Sequence, residues 1–98
     1  MIKTRGAKLI AAERRRQQTH EYWSEVHDSQ WTKGQLALAA IVYACPPARK
    51  KWKRLLYRRL WPWLTGWWKP KTRIRDLVRA GALIAAEIDR LLAAGENP

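Results

Sequence analysis

The chain has no phenylalanine, a single cysteine and, between Ser29 and Arg75, no aspartate or glutamate. One cysteine, Cys45, cannot build an internal disulfide framework, which fits a reducing compartment. The longest apolar run, Leu36 to Pro47, falls well short of the ~20 residues that span a bilayer. The start, Met1 to Ile10, is broken by charge before any apolar stretch develops, so no signal peptide is read there. Nor is there a glycine-rich phosphate loop, a serine elbow, or a Cys-x-x-Cys or His-x-x-x-His pair. With 98 residues there is room for one modest core and none for a second domain with its own cofactor fold. We read 1–95 as one helical domain and 96–98 as a disordered tail.

What is present is positive charge and tryptophan. Twenty Lys and Arg stand against eight acids, a net charge of +12, and there are seven Trp. The charge is regional: residues 1–28 and 76–98 nearly cancel, while the window from Ser29 to Arg75 holds twelve bases and no acid. Within it, Arg49 to Lys71 carries Trp52, Trp61, Trp63, Trp67 and Trp68 among nine bases. Unneutralised self-repulsion costs stability that interspersed Glu would relieve, so such a window points to an anionic partner. Flat aromatic faces beside positive charge suit a partner with both phosphates and rings.

The periodicity is helical throughout and nothing reads as a strand. Ile2 to Tyr22 is rich in helix formers, with a thin apolar face of Leu9, Ile10 and Ala12, which leaves Arg14, Arg15 and Arg16 to water or a ligand. Tyr22 to Gly34 reads as an ordered connection held by Trp23 and Trp31. Lys33 to Ala44 is apolar on every side, with Thr32 as the expected cap and Pro46-Pro47 as the stop, and is expected at the centre of the core. From Ala48 to Leu60, Trp52, Leu55, Leu56 and Leu60 draw an apolar stripe on a basic helix. Trp61 to Pro70 reads as a compact aromatic loop. Arg73 to Ala94 puts Ile74, Leu77, Val78, Gly81, Ile84, Ala85, Ile88, Leu91 and Leu92 on one face, expected to be the core face, with Gly95 as the stop. The fold expected is all-α, a small bundle of three to four helices with a Trp-rich loop between the last two.

Trp52, Trp61 and Trp63 read as core, in a chain with no Phe to fill that role. Trp67 and Trp68 are adjacent and cannot both face one core, so a surface or interface is expected for at least one. The ligand-binding residues expected are Trp67, Trp68, Lys69 and Arg73, with Trp63 and Arg58 nearby and Arg15 and Arg16 reaching in from the first helix. No catalytic residue, metal ligand or cofactor is assigned. Glu13, Glu21, Glu25, Asp28, Asp76, Glu87 and Asp89 form no Glu-Glu-x-x-Glu group of the kind that holds magnesium in the all-helical nucleotide pyrophosphohydrolases. His27 and Asp28 read as hydrogen-bonding residues of the connection, Asp76 as a first-turn acid favoured by the helix dipole, and Glu87 as a partner of Arg90 or Arg79. A membrane surface is the weaker reading of the basic Trp-rich stretch, because the Trp52/Leu55/Leu56/Leu60 stripe is needed to close the core.

The order of landmarks, Glu13-Arg14-Arg15-Arg16-Gln17, Trp23, His27-Asp28, Gly34, Tyr43, Trp61-Pro62-Trp63, Trp67-Trp68-Lys69-Pro70, Arg75 to Ala80 and Glu87-Ile88, resembles a family of small proteins of tailed bacteriophages and prophages. Val26 and Ser29 stand where that family usually has acids. The resemblance implies an accessory protein made in the bacterial cytoplasm. Joined to the charge pattern, it leads to the expectation of a non-enzymatic, homo-oligomeric protein that binds an anionic nucleotide-like ligand, as a counter-defence protein sequestering a host nucleotide signal would. The alternatives are a nucleic-acid-binding module, an inhibitor that blocks a host defence protein and, below these, a nucleotide pyrophosphohydrolase.

Overall fold

Threonine, glycine and proline set the ends of the helices. The computed structural model describes residues 4–20 and 30–98, the side chains of His20 and Trp67 excepted. Over those residues it has four α-helices and no strand: α1 (Arg5–His20), α2 (Gln35–Ala44), α3 (Lys50–Leu60) and α4 (Arg73–Ala93), with a single 3₁₀ turn at Thr65–Trp67 between the last two. The connection from Tyr22, with Trp23, His27 and Asp28, falls in 21–29, outside the described residues, as do the expected ends of the first helix at Ile2 and Tyr22.

Helix α1 opens on Thr4, whose hydroxyl accepts from the Ala7 amide and whose carbonyl accepts from that of Lys8. Helix α2 does not start on Thr32. Its N-cap is Gly34 at φ 79°, a left-handed conformation that glycine adopts without strain and a threonine would resist. It ends at Cys45, extended because a proline follows. Thr72 caps α4 by accepting from the Arg75 amide, and Asp76 in the first turn accepts from the Lys71 amide at 2.7 Å, adding local hydrogen bonding to the dipole argument for an acid there. At the other end Gly95, at φ 97°, lets its own amide reach the Leu92 carbonyl and that of Glu96 reach Leu91, a complete Schellman motif.

Helix α4 is the hub: α2 packs along one side of it and α1 along another, while α3 packs on α2 and approaches neither α1 nor α4 closely. The core is Leu36, Ala39, Ala40 and Tyr43 from α2 against Ala80, Leu83 and Ala86 from α4, sealed by Trp31, Trp61, Trp63 and Trp68. Helix α1 crosses α4 at Gly81, where an added Cβ would lie 2.6 Å from the Ile10 side chain.

Two faces differ from the sequence reading. The side of α4 that is buried carries Asp76, Val78, Ala80, Ala82, Leu83 and Ala86, whereas Ile74, Leu77, Ile84, Ile88 and Leu92 are 42–67% exposed. Alanines on α2 and α4 let the two backbones approach closely, so the small-residue face wins the internal contact and the large aliphatic face is left outside. Helix α1 buries Glu13, Arg14 and Gln17, so Arg14 does not lie in water.

Candidate anion-binding surface

The Trp-rich segment closes on itself. Pro62 and the 3₁₀ turn bend the chain after α3 so that Trp61 and Trp68 come back onto Tyr43 and Tyr57, with Trp63 against Trp61 and Trp31. Trp61 lies at the centre, with ring centroids 5.4 Å from Trp63, 5.1 Å from Trp68 and 5.7 Å from Tyr43, all edge-on, and its indole N–H donates to the Leu64 carbonyl. Trp63 meets Trp31 edge-on at 5.5 Å, and Trp68 is tilted 4.8 Å from Tyr43. Such edge and tilted pairs contribute about 0.5–1.5 kcal/mol each beyond area burial. The ring faces are thus largely satisfied by other rings.

Three bases next to this cluster, Lys53, Arg73 and Arg79, are occupied too. Lys53 turns inward and donates from Nζ to the carbonyls of Cys45 (2.8 Å), Val42 (3.1 Å) and Tyr43 (3.5 Å), while Arg73 donates to the Cys45 carbonyl at 3.1 Å. Two cations therefore sit at the C-terminus of α2, where unpaired carbonyls and the negative end of the helix dipole attract them. Burial pushes the Lys53 ammonium below its ordinary pKa, with nearby Arg73 adding to this, against the opposing pull of Asp76 and Cys45. Lys53 also lies 5.5 Å from the Trp68 ring centroid. Arg79 donates to the Lys69 carbonyl (2.8 Å) and the Tyr43 hydroxyl (3.4 Å), and that hydroxyl accepts from the Lys69 amide as well. These contacts tie the loop to α2 and α4.

A second polar knot ties α1 to α4. Glu13, 2% exposed, receives paired 2.8 Å hydrogen bonds from Arg16, one from Gln17 at 3.1 Å and a longer one from Arg75 at 3.5 Å. Burial alone would raise the Glu13 pKa; the Arg16 bonds and charge, with Gln17 and the more distant Arg79, outweigh it and hold the carboxyl below the usual value. Arg14 meets Asp89 at 3.5 Å, and Glu87 is bonded by Arg90 at 2.6 Å.

The outer face of α3 contrasts with both. Lys50, Lys51, Arg54, Arg58 and Arg59 are exposed, and their side chains make no hydrogen bond or ion pair among the described residues. Lys50 and Lys51 crowd the positive end of the helix dipole with no acid in the first turn, and Arg49 at the N-cap makes no capping bond. Trp52 is 61% exposed on the same helix, beside Leu55. It is therefore not core. The inward edge of α3 is formed instead by Lys53, Leu56, Tyr57 and Leu60, and Tyr57 stacks on Trp61 at 6.1 Å.

The residues expected to bind ligand are thus divided. Trp63 and Trp68 belong to the ring cluster, Arg73 and the backbone of Lys69 to the knot below it, the Lys69 side chain being exposed, and Arg58 to the outer face of α3. Arg16 is bonded to Glu13 and Arg15 is exposed, both on α1, which does not pack on α3; the backbone of Trp67 ends the 3₁₀ turn. Arg15 lines an open groove of about 490 Å³ with Ala7, Ile10, Ala11, Arg14, Gln18 and Ala85. Lys50, Lys51, Arg54 and Arg59 belong to the basic stretch that the sequence offers as a candidate anion surface, whereas Trp52 was expected in the core; Tyr57, placed four residues after Lys53 and four before Trp61, was the signal that α3 is rotated with Trp52 outward.

Among the described residues no group of three His, Cys, Asp or Glu is placed to hold a metal ion, and no helix is long and apolar enough to cross a membrane. The chain matches no family model, and comparison with curated proteins and with solved structures yields no match.

Proposed function

We propose that this is a non-enzymatic binding protein for a phosphate-bearing partner, and that polymeric nucleic acid is the form of partner that fits it best. The observation that carries this reading is the outer face of α3: five cations without counter-ions on an 11-residue helix, beside an exposed Trp52. A helix of that length is about 16 Å long, enough to follow several phosphates. The indole gives a base a surface to stack on, worth roughly 1–3 kcal/mol. The test is titration of labelled single-stranded DNA and RNA of increasing length over a range of salt. Affinity is expected to rise with length and to fall log-linearly with salt, by roughly 0.7 in slope for each phosphate neutralised. Binding indifferent to salt, or none at any length, sinks the reading.

A second reading keeps the anionic ligand small. The open groove of about 490 Å³ beside Arg15 lies within the ~300–1,000 Å³ of small-molecule sites. A nucleotide held there is what a phage counter-defence protein would sequester. A thermal-shift screen of mono-, di- and cyclic nucleotides separates the two, since a discrete site raises the melting temperature for one ligand at fixed stoichiometry.

A further inference from the structure

The exposed side chains of α3 are sorted into two edges. Lys50, Arg54 and Arg58 stand four residues apart and form a row, each about 6 Å further along the axis. Trp52, Leu55 and Arg59, spaced three and four apart, form the other edge, with Lys51 between the two. The Trp-rich loop joins on the side of the cationic row: the Trp68 ring lies 5.4 Å from that of Tyr57 and 5.5 Å from the Lys53 ammonium, and these two residues stand three after Arg54 and Lys50. Lys69 follows, with its side chain exposed and unpaired among the described residues, so it widens the row on the side away from Trp52. None of these cations is bonded to a carboxylate or carbonyl of the chain, so their charge is available to a partner.

We propose that the polymer taken by this face is a single strand, its phosphates on the Lys50/Arg54/Arg58 row with Lys69 beside it and a base laid across Leu55 onto Trp52. This rests on the nucleic-acid reading above and specifies its substrate. An unpaired strand can turn its phosphates to one side and its bases to the other, which is how the two edges of α3 are arranged. Trp52, 61% exposed, and Leu55, 45% exposed, make an apolar ledge on which any base face can stack. In a duplex those faces are stacked on one another and reach an indole only at the cost of unstacking. Helix α3 also has no Asn, Gln, Asp or Glu with which to pair adenine or cytosine edges in a major groove. Electrostatics alone favours the duplex, whose phosphates are more densely spaced, so the ledge is what turns the preference toward the single strand.

Fluorescence anisotropy of the full chain with one labelled oligonucleotide, alone and annealed to its complement at the same salt, tests the proposal. The single strand is expected to bind about tenfold more tightly than the duplex. Trp52→Ala is expected to lose or reverse that preference while the salt slope for the single strand stays as in the wild type, because no phosphate contact is removed. Lys69→Gln is expected to do the opposite, keeping the preference and lowering the slope by about 0.7. A strand with abasic sites, bound by the wild type, is expected to match the intact strand bound by Trp52→Ala, which reads the stacking with the protein unaltered. A duplex bound as tightly as the single strand, or a preference that survives Trp52→Ala, overturns the single-strand inference and leaves the salt-dependent polymer reading standing. Absence of binding to both forms sinks the two together, as does Trp52-dependent binding to phosphatidylserine vesicles in place of either nucleic acid.

Discussion

The basic window, with Arg79 just beyond it, contains two populations of cations that look alike in sequence and differ in what they face. Lys53, Arg73 and Arg79 each point at a carbonyl or hydroxyl oxygen and hold the Trp-rich loop against the end of α2. Lys50, Lys51, Arg54, Arg58 and Arg59 face solvent with no partner among the described residues. The same division runs through the tryptophans: Trp61, Trp63 and Trp68 pack ring on ring, and Trp52 stands exposed. A high density of Arg and Trp is thus not one feature. In one part it replaces the missing phenylalanine core and caps a helix, and in the other it is left unsatisfied, which is where a ligand would gain most.

The largest expected effect breaks the structural half. Trp61→Ala removes the central ring of the cluster and is expected to cost about 3 kcal/mol of stability, at the low end of the range for aromatic-to-alanine changes because the ring is only half-buried. Trp52→Ala is expected to change stability by no more than about 0.5 kcal/mol. Urea denaturation of the two variants side by side reads the difference, and equal losses would mean that the distinction between the rings is false.

Next comes the outer face. Replacing Lys51, Arg54, Arg58 and Arg59 together with Gln is expected to weaken single-stranded nucleic-acid binding by about 100-fold and to lower the salt slope by about 2–3, since each phosphate no longer neutralised removes roughly 0.7. Stability should hold or rise, since self-repulsion among neighbouring cations is relieved. A smaller effect is expected from Lys53→Met. The carbonyls of Val42, Tyr43 and Cys45 would lose a charged donor while Arg73 still reaches Cys45, for a loss of about 1–2 kcal/mol by chemical denaturation. Nucleic-acid affinity should stay near wild type for this variant, which separates the inward lysine from its outward neighbours.

How far the sequence could lead is visible in these same residues. Helix positions and stops were legible, because Pro46, Pro62 and Gly95 act locally on the backbone. The all-α class followed from periodicity. Which face turned inward was not legible. Periodicity marks an apolar face on α4 but says nothing of whether a neighbour prefers it, and the alanine face of α2 packs instead against Ala80, Leu83 and Ala86. In α3 the stripe through Trp52 and the edge through Lys53 and Tyr57 lie close together on the helix, and only the aromatic partners contributed by Trp61 and Trp68 decide between them. Glu13 and Arg75 are 62 residues apart in sequence, so their contact required the fold.

Glu13 gives the mildest and most selective test, because α3 has no carboxylate and α1 buries one. The folded-state pKa of Glu13 lies below its usual value, so in the pH range between the folded and unfolded pKa the unfolded chain binds more protons. The stability it contributes is full above the unfolded pKa of ~4.3 and is lost as pH falls from there through the folded pKa. Glu13→Gln should therefore flatten part of the acid limb of the stability profile. Its difference from wild type should narrow as pH drops below about 4 and stay constant from pH 5 to 8. Helix α3 carries no carboxylate, so nucleic-acid binding should persist down to the pH at which the α1–α4 contact loosens. If binding were lost at higher pH than the fold, a carboxylate would have to lie at the binding face, and the basic surface of α3 could not be the whole of it.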